Sequence, residues 1–310
     1  MNSPPGQRAS LSGFWHPRYW PLWLGAGLLR LLIVLPFRVQ LALGAGLGRL
    51  LYLLLRERRR VAAINLRLCF PELGERERAR LLRRHFSSLG IGLFELGMAW
   101  WASDRRIQSL VRIEGFENLS NALRSGRGVL VVSGHFSGGE ITGRAMKALV
   151  PQYGVLYRPV RNPLLDEFLR RARARAVQFV IPKDSIRVLL RVLKQGIAVW
   201  YAADQSYRRQ HSVLVPFFGE PAMTNGALTP IARLSAAPVV PYFPQRLADG
   251  SGYRVSILPA LEDFPSGDVA ADTQRVLALL EAHIRQAPEQ YYWVHRRFKG
   301  RPEGFPDPYR

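Results

Sequence analysis

The chain has 310 residues, enough for one large or two small domains with a sizeable core. Hydrophobic residues make up 48% and charged residues 22%, which excludes both a disordered chain and a polytopic membrane protein. Lys and Arg number 44 against 23 Asp and Glu, a net charge of +21 that points to an anionic partner: nucleic acid, anionic lipid or an acidic protein. The single cysteine, Cys69, excludes an intrachain disulfide framework and a multi-cysteine metal site.

Residues 20–37 read WPLWLGAGLLRLLIVLPF, with Arg30 as the one charge. Eighteen helical residues rise ~27 Å, just enough for a bilayer core. A second apolar run, 39–55, follows Arg38 and contains Gln40 and Arg49 as its strongly polar residues. Trp15, Tyr19, Trp20 and Trp23 flank the first run as interfacial anchors would, and no A-x-A site follows, so a cleaved signal peptide is not expected. The segment reads either as a buried helical hairpin or, preferably, as a membrane-inserted helix followed by one that lies on or dips into the surface. Arg56, Arg58, Arg59 and Arg60 come directly after it, whereas Arg8, Arg18 and His16 precede it; the positive-inside rule therefore puts the body of the protein in the cytoplasm. Residues 49–84 hold eleven Arg against four Glu. They form either a solvated helical surface or a juxtamembrane basic segment on anionic inner-membrane lipids, where each cation contributes ~1 kcal/mol. The expected division is an anchor over 1–60 and a main domain over 61–310, helical over 61–110 and α/β over 111–310.

The stretch 85–101 (HFSSLGIGLFELGMAWW) predicts an amphipathic helix whose Gly90, Gly92 and Gly97 permit close packing, in the core or along an alkyl groove. From residue 112 strands and helices alternate. VLVVS (129–133), GVLY (154–157), QFVI (178–181), IAVWYA (197–202), VVPYF (239–243) and YRVSILP (253–259) read as strands. Helices are expected after the Gly-rich turn to about 150, from Asn162-Pro163, from Asp184-Ser185 to Gly196, over 225–235 and over 269–286. This rhythm predicts an α/β fold with a mainly parallel central sheet flanked by helices. In such sheets sites gather at the carboxyl ends of strands.

The first strong strand ends in Ser133-Gly134-His135-Phe136-Ser137-Gly138-Gly139-Glu140. With His135 in the turn and Glu140 on the first turn of the next helix, the carboxylate can reach the imidazole. It would fix the tautomer and leave the other ring nitrogen free to take a proton. The helix N-terminus adds positive potential beside an anionic intermediate. Ser137 does not fit a nucleophile elbow. His211, His283 and His295 lack the spacing of a zinc site, and the glycines match neither a dinucleotide fingerprint nor a P-loop. No helix-turn-helix, zinc-finger or RRM signature supports specific nucleic-acid binding, although a membrane-anchored basic binding protein remains a second reading of the charge.

A His-x4-Asp/Glu box after an apolar strand resembles the lysophospholipid acyltransferase superfamily. HPRYW (16–20), NLRLCFPEL (65–73), YRPVRNPLLD (157–166), VWYAADQSY (199–207) and APEQYYWVHRRFKGRPEG (287–304) narrow it. Over about residues 14–305 the chain is similar to the late acyltransferases of lipid A biosynthesis, most of all those that transfer laurate. The resemblance implies a glycerolipid-acyltransferase-like fold in the bacterial inner membrane. It also implies transfer of an acyl chain from acyl carrier protein to a 3-hydroxyacyl hydroxyl of Kdo2-lipid IVA. A glycerolipid acceptor or another chain length is the alternative within the superfamily. By the same resemblance His135 is the general base and Glu140 its orienting carboxylate, Arg173 and Asp204 are supporting residues, and Arg158 binds substrate. Neither metal nor cofactor is implied. Arg173 lies in an RRARAR run, so its register could fall on Arg171 or Arg175. Phe136-Ser137-Gly138-Gly139 is smaller than the family's usual box interior and bears on chain length. Basic residues suit an acidic carrier protein and an anionic acceptor; Arg296, Arg297 and Lys299 read either as part of that face or as a solvated C-terminal surface.

Overall fold

Pro36 divides the long apolar N-terminus in two. The computed structural model describes residues 11–206 and 212–310, and in it the first run forms α1 (Trp20–Leu32) and the second α2 (Phe37–Leu54). The break follows from proline, which has no backbone N–H and turns the residue before it out of the helical region. Thirteen residues rise about 20 Å, short of the ~30 Å hydrocarbon core, so the span expected over 20–37 is not one helix. α2 alone among the described helices has the length and composition to cross a membrane. Its polar Gln40 is buried and caps the turn, its amide donating to the carbonyls of Ile33 (2.8 Å) and Leu35 (2.7 Å).

Next come α3 (Arg56–Cys69) and α4 (Glu75–Trp101). α3 turns Val61, Ala62, Leu66 and Cys69 inward. α4 is the long amphipathic helix expected around 85–101, extended by ~3 turns at its N-terminus. α2 lies along it so closely that a Cβ at Gly90 would collide with the backbone of Gly44 and Gly48. α1 meets the same helix further on, where Leu29 and Ile33 cover Gly97. α5 (Asp104–Leu110) leads into the sheet.

The α/β region contains, in order, β1 (Val111–Glu114), α6 (Phe116–Leu123), β2 (Val129–Ser133), α7 (Gly139–Met146), β3 (Tyr153–Tyr157), α8 (Pro163–Ala176), β4 (Phe179–Pro182), α9 (Ile186–Lys194) and β5 (Ala198–Ala202). A hairpin of β6 (Ser212–Phe217) and β7 (Glu220–Asn225) follows, then α10 (Leu228–Ser235), β8 (Val239–Arg246), β9 (Tyr253–Ile257) and α11 (Val269–Gln286). The main sheet runs β1-β9-β8-β2-β5-β3-β4, and every pairing in it is parallel except β8 with β9. The mainly parallel sheet flanked by helices is the fold that the alternating sequence predicts. β2 is buried at all five positions. Leu130 and Val132 face one layer with α9 and α10, and Val129 and Val131 face the other with α6.

Candidate active site

β2 and β5 are parallel neighbours with Ser133 opposite Ala202, and the ladder continues with Ala203 N–H donating to the Ser133 carbonyl (3.0 Å). Two residues beyond each strand end stand His135 and Asp204. The register therefore brings them together at the carboxyl edge of the sheet. One Asp204 oxygen accepts from the backbone N–H of His135 (2.7 Å) and the other lies 2.6 Å from Nδ1 of its ring. A carboxylate only accepts, so Nδ1 carries the proton and Nε2 is left with the lone pair.

Asp204 is 1% exposed, whereas the His135 side chain keeps 37% of its surface open. Burial pushes the Asp204 carboxyl up, but the charge and hydrogen bonds of His135 and a hydrogen bond from Tyr291 outweigh it and hold the group at about 2. Burial likewise works to lower the imidazole, and the Asp204 charge and hydrogen bond overcome it, so the pKa of His135 stands above the ordinary histidine value. Trp200 packs edge-on to the ring at 6.4 Å.

The turn after β2 is held from two sides. Ser137 N–H donates to the Gln290 carbonyl (2.9 Å) and Tyr292 N–H to the His135 carbonyl (3.0 Å), a short antiparallel bridge to the C-terminal block. Beneath it, Ser137 Oγ meets Ser88 Oγ at 3.0 Å, and Ser88 accepts from Arg246, which is paired with buried Glu95 at 2.5 Å. Gly138 takes φ +81°, a left-handed conformation that glycine adopts freely, and starts α7 there.

The structure does not place the Glu140 carboxylate on the His135 ring, where the sequence reading expects it. Glu140 stands on the first turn of α7, but its carboxylate accepts from Arg173, with Nε at 3.1 Å. The hydrogen-bonded carboxylate on His135 is Asp204. The physical reason is strand order: Asp204 arrives from the neighbouring strand directly opposite the histidine, whereas Glu140 projects from α7 toward α8. The arginines of the RRARAR run have different partners. Arg173 takes Glu140, Arg171 pairs with Glu167, and Arg175 donates to the Trp100 carbonyl. The Arg173 guanidinium also lies 5.4 Å from the Tyr157 ring centre. Arg158 is exposed in the loop between β3 and α8, beyond the same strand end.

His283 is stacked on Phe243 and donates to the Pro244 carbonyl (3.1 Å), which gives it a structural place away from the base; His211 lies outside the described residues. Arg296 pairs with Glu57 at the surface (2.5 Å), but Arg297 is only 2% exposed. It donates to the Met223 carbonyl (3.1 Å) and Thr224 Oγ1 (2.7 Å) under the Phe217 ring, so it is no part of a solvated face. Sequence reasoning also passed over Gln205, whose side-chain amide nitrogen is 3.1 Å from Nε2 of His135. Its one sequence signal is adjacency to Asp204 in the 199–207 block.

A buried carboxylate, a fixed tautomer and a lone pair on Nε2 at a sheet edge, met there by the side chain of Gln205, suit deprotonation of a hydroxyl. Comparison with known proteins gives the class: an acyltransferase. Residues 10–300 match the family model described as bacterial lipid A biosynthesis acyltransferase, and the chain belongs to that family. It is 40% identical to the lipid A biosynthesis lauroyltransferase of Escherichia coli (strain K12), over 95% of this chain and 96% of that one. It is also 40% identical to the palmitoleoyltransferase of the same organism (94% and 95% covered) and 28% identical to its myristoyltransferase (96% and 92%).

Proposed function

We propose that the chain transfers a fatty acyl group, laurate first, from acyl carrier protein to the hydroxyl of a 3-hydroxyacyl chain on Kdo2-lipid IVA. The observation that carries this reading is the clamp of Asp204 on His135, which fixes the proton on Nδ1 and leaves Nε2 as the basic nitrogen. His135 Nε2 takes the proton of the acceptor hydroxyl as its oxygen attacks the thioester carbonyl carbon. Asp204 stabilises the imidazolium that forms. Collapse of the tetrahedral intermediate breaks the C–S bond, and the imidazolium returns the proton to the departing thiolate. Glu140 and Arg173 act as a pair at the mouth of this site. Glu140 holds the guanidinium in place near the base, where it faces an acceptor rich in phosphate and carboxylate. Arg158, exposed and without a partner among the described residues, is placed to bind the same anionic acceptor.

Residues 1–60 serve as the anchor and 61–310 as the catalytic domain, on the cytoplasmic side of the bacterial inner membrane. The exposed Leu24, Leu28, Leu31, Val34, Leu50, Leu53 and Leu54 on α1, α2 and their connections support insertion of this hairpin, and the arginines of α3 support contact with anionic headgroups.

The test is an in vitro transfer assay in detergent with carrier proteins loaded with C10 to C18 chains. Kdo2-lipid IVA is the acceptor, and lysophosphatidic acid the control. Wild type is expected to acylate the lipid A precursor and to rank the donors, with laurate and palmitoleate the two to separate. His135→Ala is expected to lose ~10²–10⁴-fold in rate. Transfer to the glycerolipid alone overturns the acceptor; transfer to neither leaves a basic membrane-bound binding protein.

A further inference from the structure

The nitrogen that must accept the hydroxyl proton is already occupied. Nδ1 of His135 donates to Asp204, so Nε2 carries the lone pair, and the group that fills it is the side-chain amide of Gln205, 3.1 Å away. A hydroxyl delivering its proton needs that same position, within about 2.6–3.2 Å of the base. The amide is thus a stand-in for the acceptor hydroxyl, an N–H where the substrate will put an O–H.

This placement is built into the backbone. Asp204, one residue before, is clamped by both oxygens on His135. Ser206, one residue after, donates from Oγ to the Lys299 carbonyl (3.0 Å) and bridges to Thr224 of β7. Gln205 is held between two fixed points with its side chain exposed. The main chain keeps its position while the side-chain torsions are free to turn.

We propose that Gln205 is a catalytic residue: its amide marks the acceptor position in the free enzyme, swings aside when the hydroxyl enters, and then donates its N–H to the oxyanion. This rests on His135 being the base. As the hydroxyl oxygen bonds to the thioester carbon, its proton moves to Nε2 and the carbonyl π pair moves onto the carbonyl oxygen. That oxygen is two bonds from the entering one, hence next to the position the amide has vacated. A neutral donor that reaches this position from a fixed backbone is strongest when charge develops and adds little in the ground state. When the C–S bond breaks, the pair returns to the carbonyl, the thiolate takes the proton from Nε2, and the amide is released to its resting contact.

The experiment compares wild type, Gln205→Met, Gln205→Glu and His135→Ala with the C10 to C18 carrier-protein panel and Kdo2-lipid IVA, with melting temperatures recorded for each. Gln205→Met keeps the length and removes the donor; kcat is expected to fall about 10²–10³-fold with KM for both substrates nearly unchanged and Tm preserved. Gln205→Glu, which opposes the oxyanion with a carboxylate, is expected to be at least as slow. A kcat maintained or raised in Gln205→Met, with a lower KM for the acceptor, is what a mere plug gives and overturns the proposal. His135→Ala with near-wild-type turnover, or a wild type inactive with every donor, overturns instead the reading on which it rests.

Discussion

Asp204 offers one oxygen to the backbone of His135 and the other to its ring, so removing its charge has two separable consequences. Asp204→Asn keeps the shape but no longer stabilises the imidazolium, and kcat/KM is expected to drop by ~10²–10⁴-fold. The second consequence has a sign. Burial alone depresses the His135 pKa, and Asp204 raises it above the ordinary value. A general base works only when neutral, so in wild type the acid limb of kcat/KM lies above about 6.5. Without the carboxylate the limb moves to lower pH. A pH–rate profile of the two enzymes checks this, and a limb that stays in place means that another group titrates. At this scale sequence reading had limits. It found His135 from the turn that follows VLVVS, but it assigned the near carboxylate in sequence, Glu140, where the fold supplies Asp204. Arg297 shows the same limit. In the run HRRF one arginine points out to Glu57 and the next points in, and composition does not distinguish them.

Elements were more legible than contacts. Asn162 does cap α8, accepting from the N–H groups of Leu164 and Leu165 (both 3.1 Å), and α11 spans 269–286 as its periodicity predicts. The β6–β7 hairpin was not anticipated because Pro216 and Pro221 interrupt a strand pattern; they sit opposite each other in its register. Glycines illustrate what a pattern leaves open. Gly46 and Gly90 look alike in sequence, yet a Cβ at Gly46 meets nothing, while one at Gly90 strikes the backbone of α2. Gly46→Ala is therefore expected to stabilise by about 0.5–1 kcal/mol, since glycine weakens a helix interior. Gly90→Ala must push α2 off α4 and is expected to cost about 1–3 kcal/mol, as overpacking does. Thermal melts in detergent should move in opposite directions; the same direction for both would mean that α2 does not seat on α4 in solution.

For the whole molecule the question is how the proposed anchor would meet a bilayer. Positive charge after α2 sets an orientation by rule, but the structure adds a mechanical constraint that the sequence does not contain. The turn between α1 and α2 is tied to the body, because Arg106 of α5 donates from both terminal nitrogens to the carbonyls of Ile33 and Leu35. Further back, Trp23 of α1 meets Phe168 of α8 edge-on at 5.1 Å, and Gly44 and Gly48 of α2 are seated along α4. A hairpin fixed to the body at its tip and along both arms cannot carry that tip to the far side unless α4 and α5 go with it. α5 begins with Asp104, Arg105 and Arg106, which excludes that. The exposed leucines are therefore expected to enter one leaflet without crossing. Cysteine scanning tests this with little background, since the native Cys69 is buried. A cysteine at position 34, whose side chain is exposed, is expected to resist a membrane-impermeant thiol reagent applied to the periplasmic face of spheroplasts and to react after detergent is added. Labelling in intact spheroplasts would place the turn in the periplasm and require that the contacts of Arg106 come apart in the membrane.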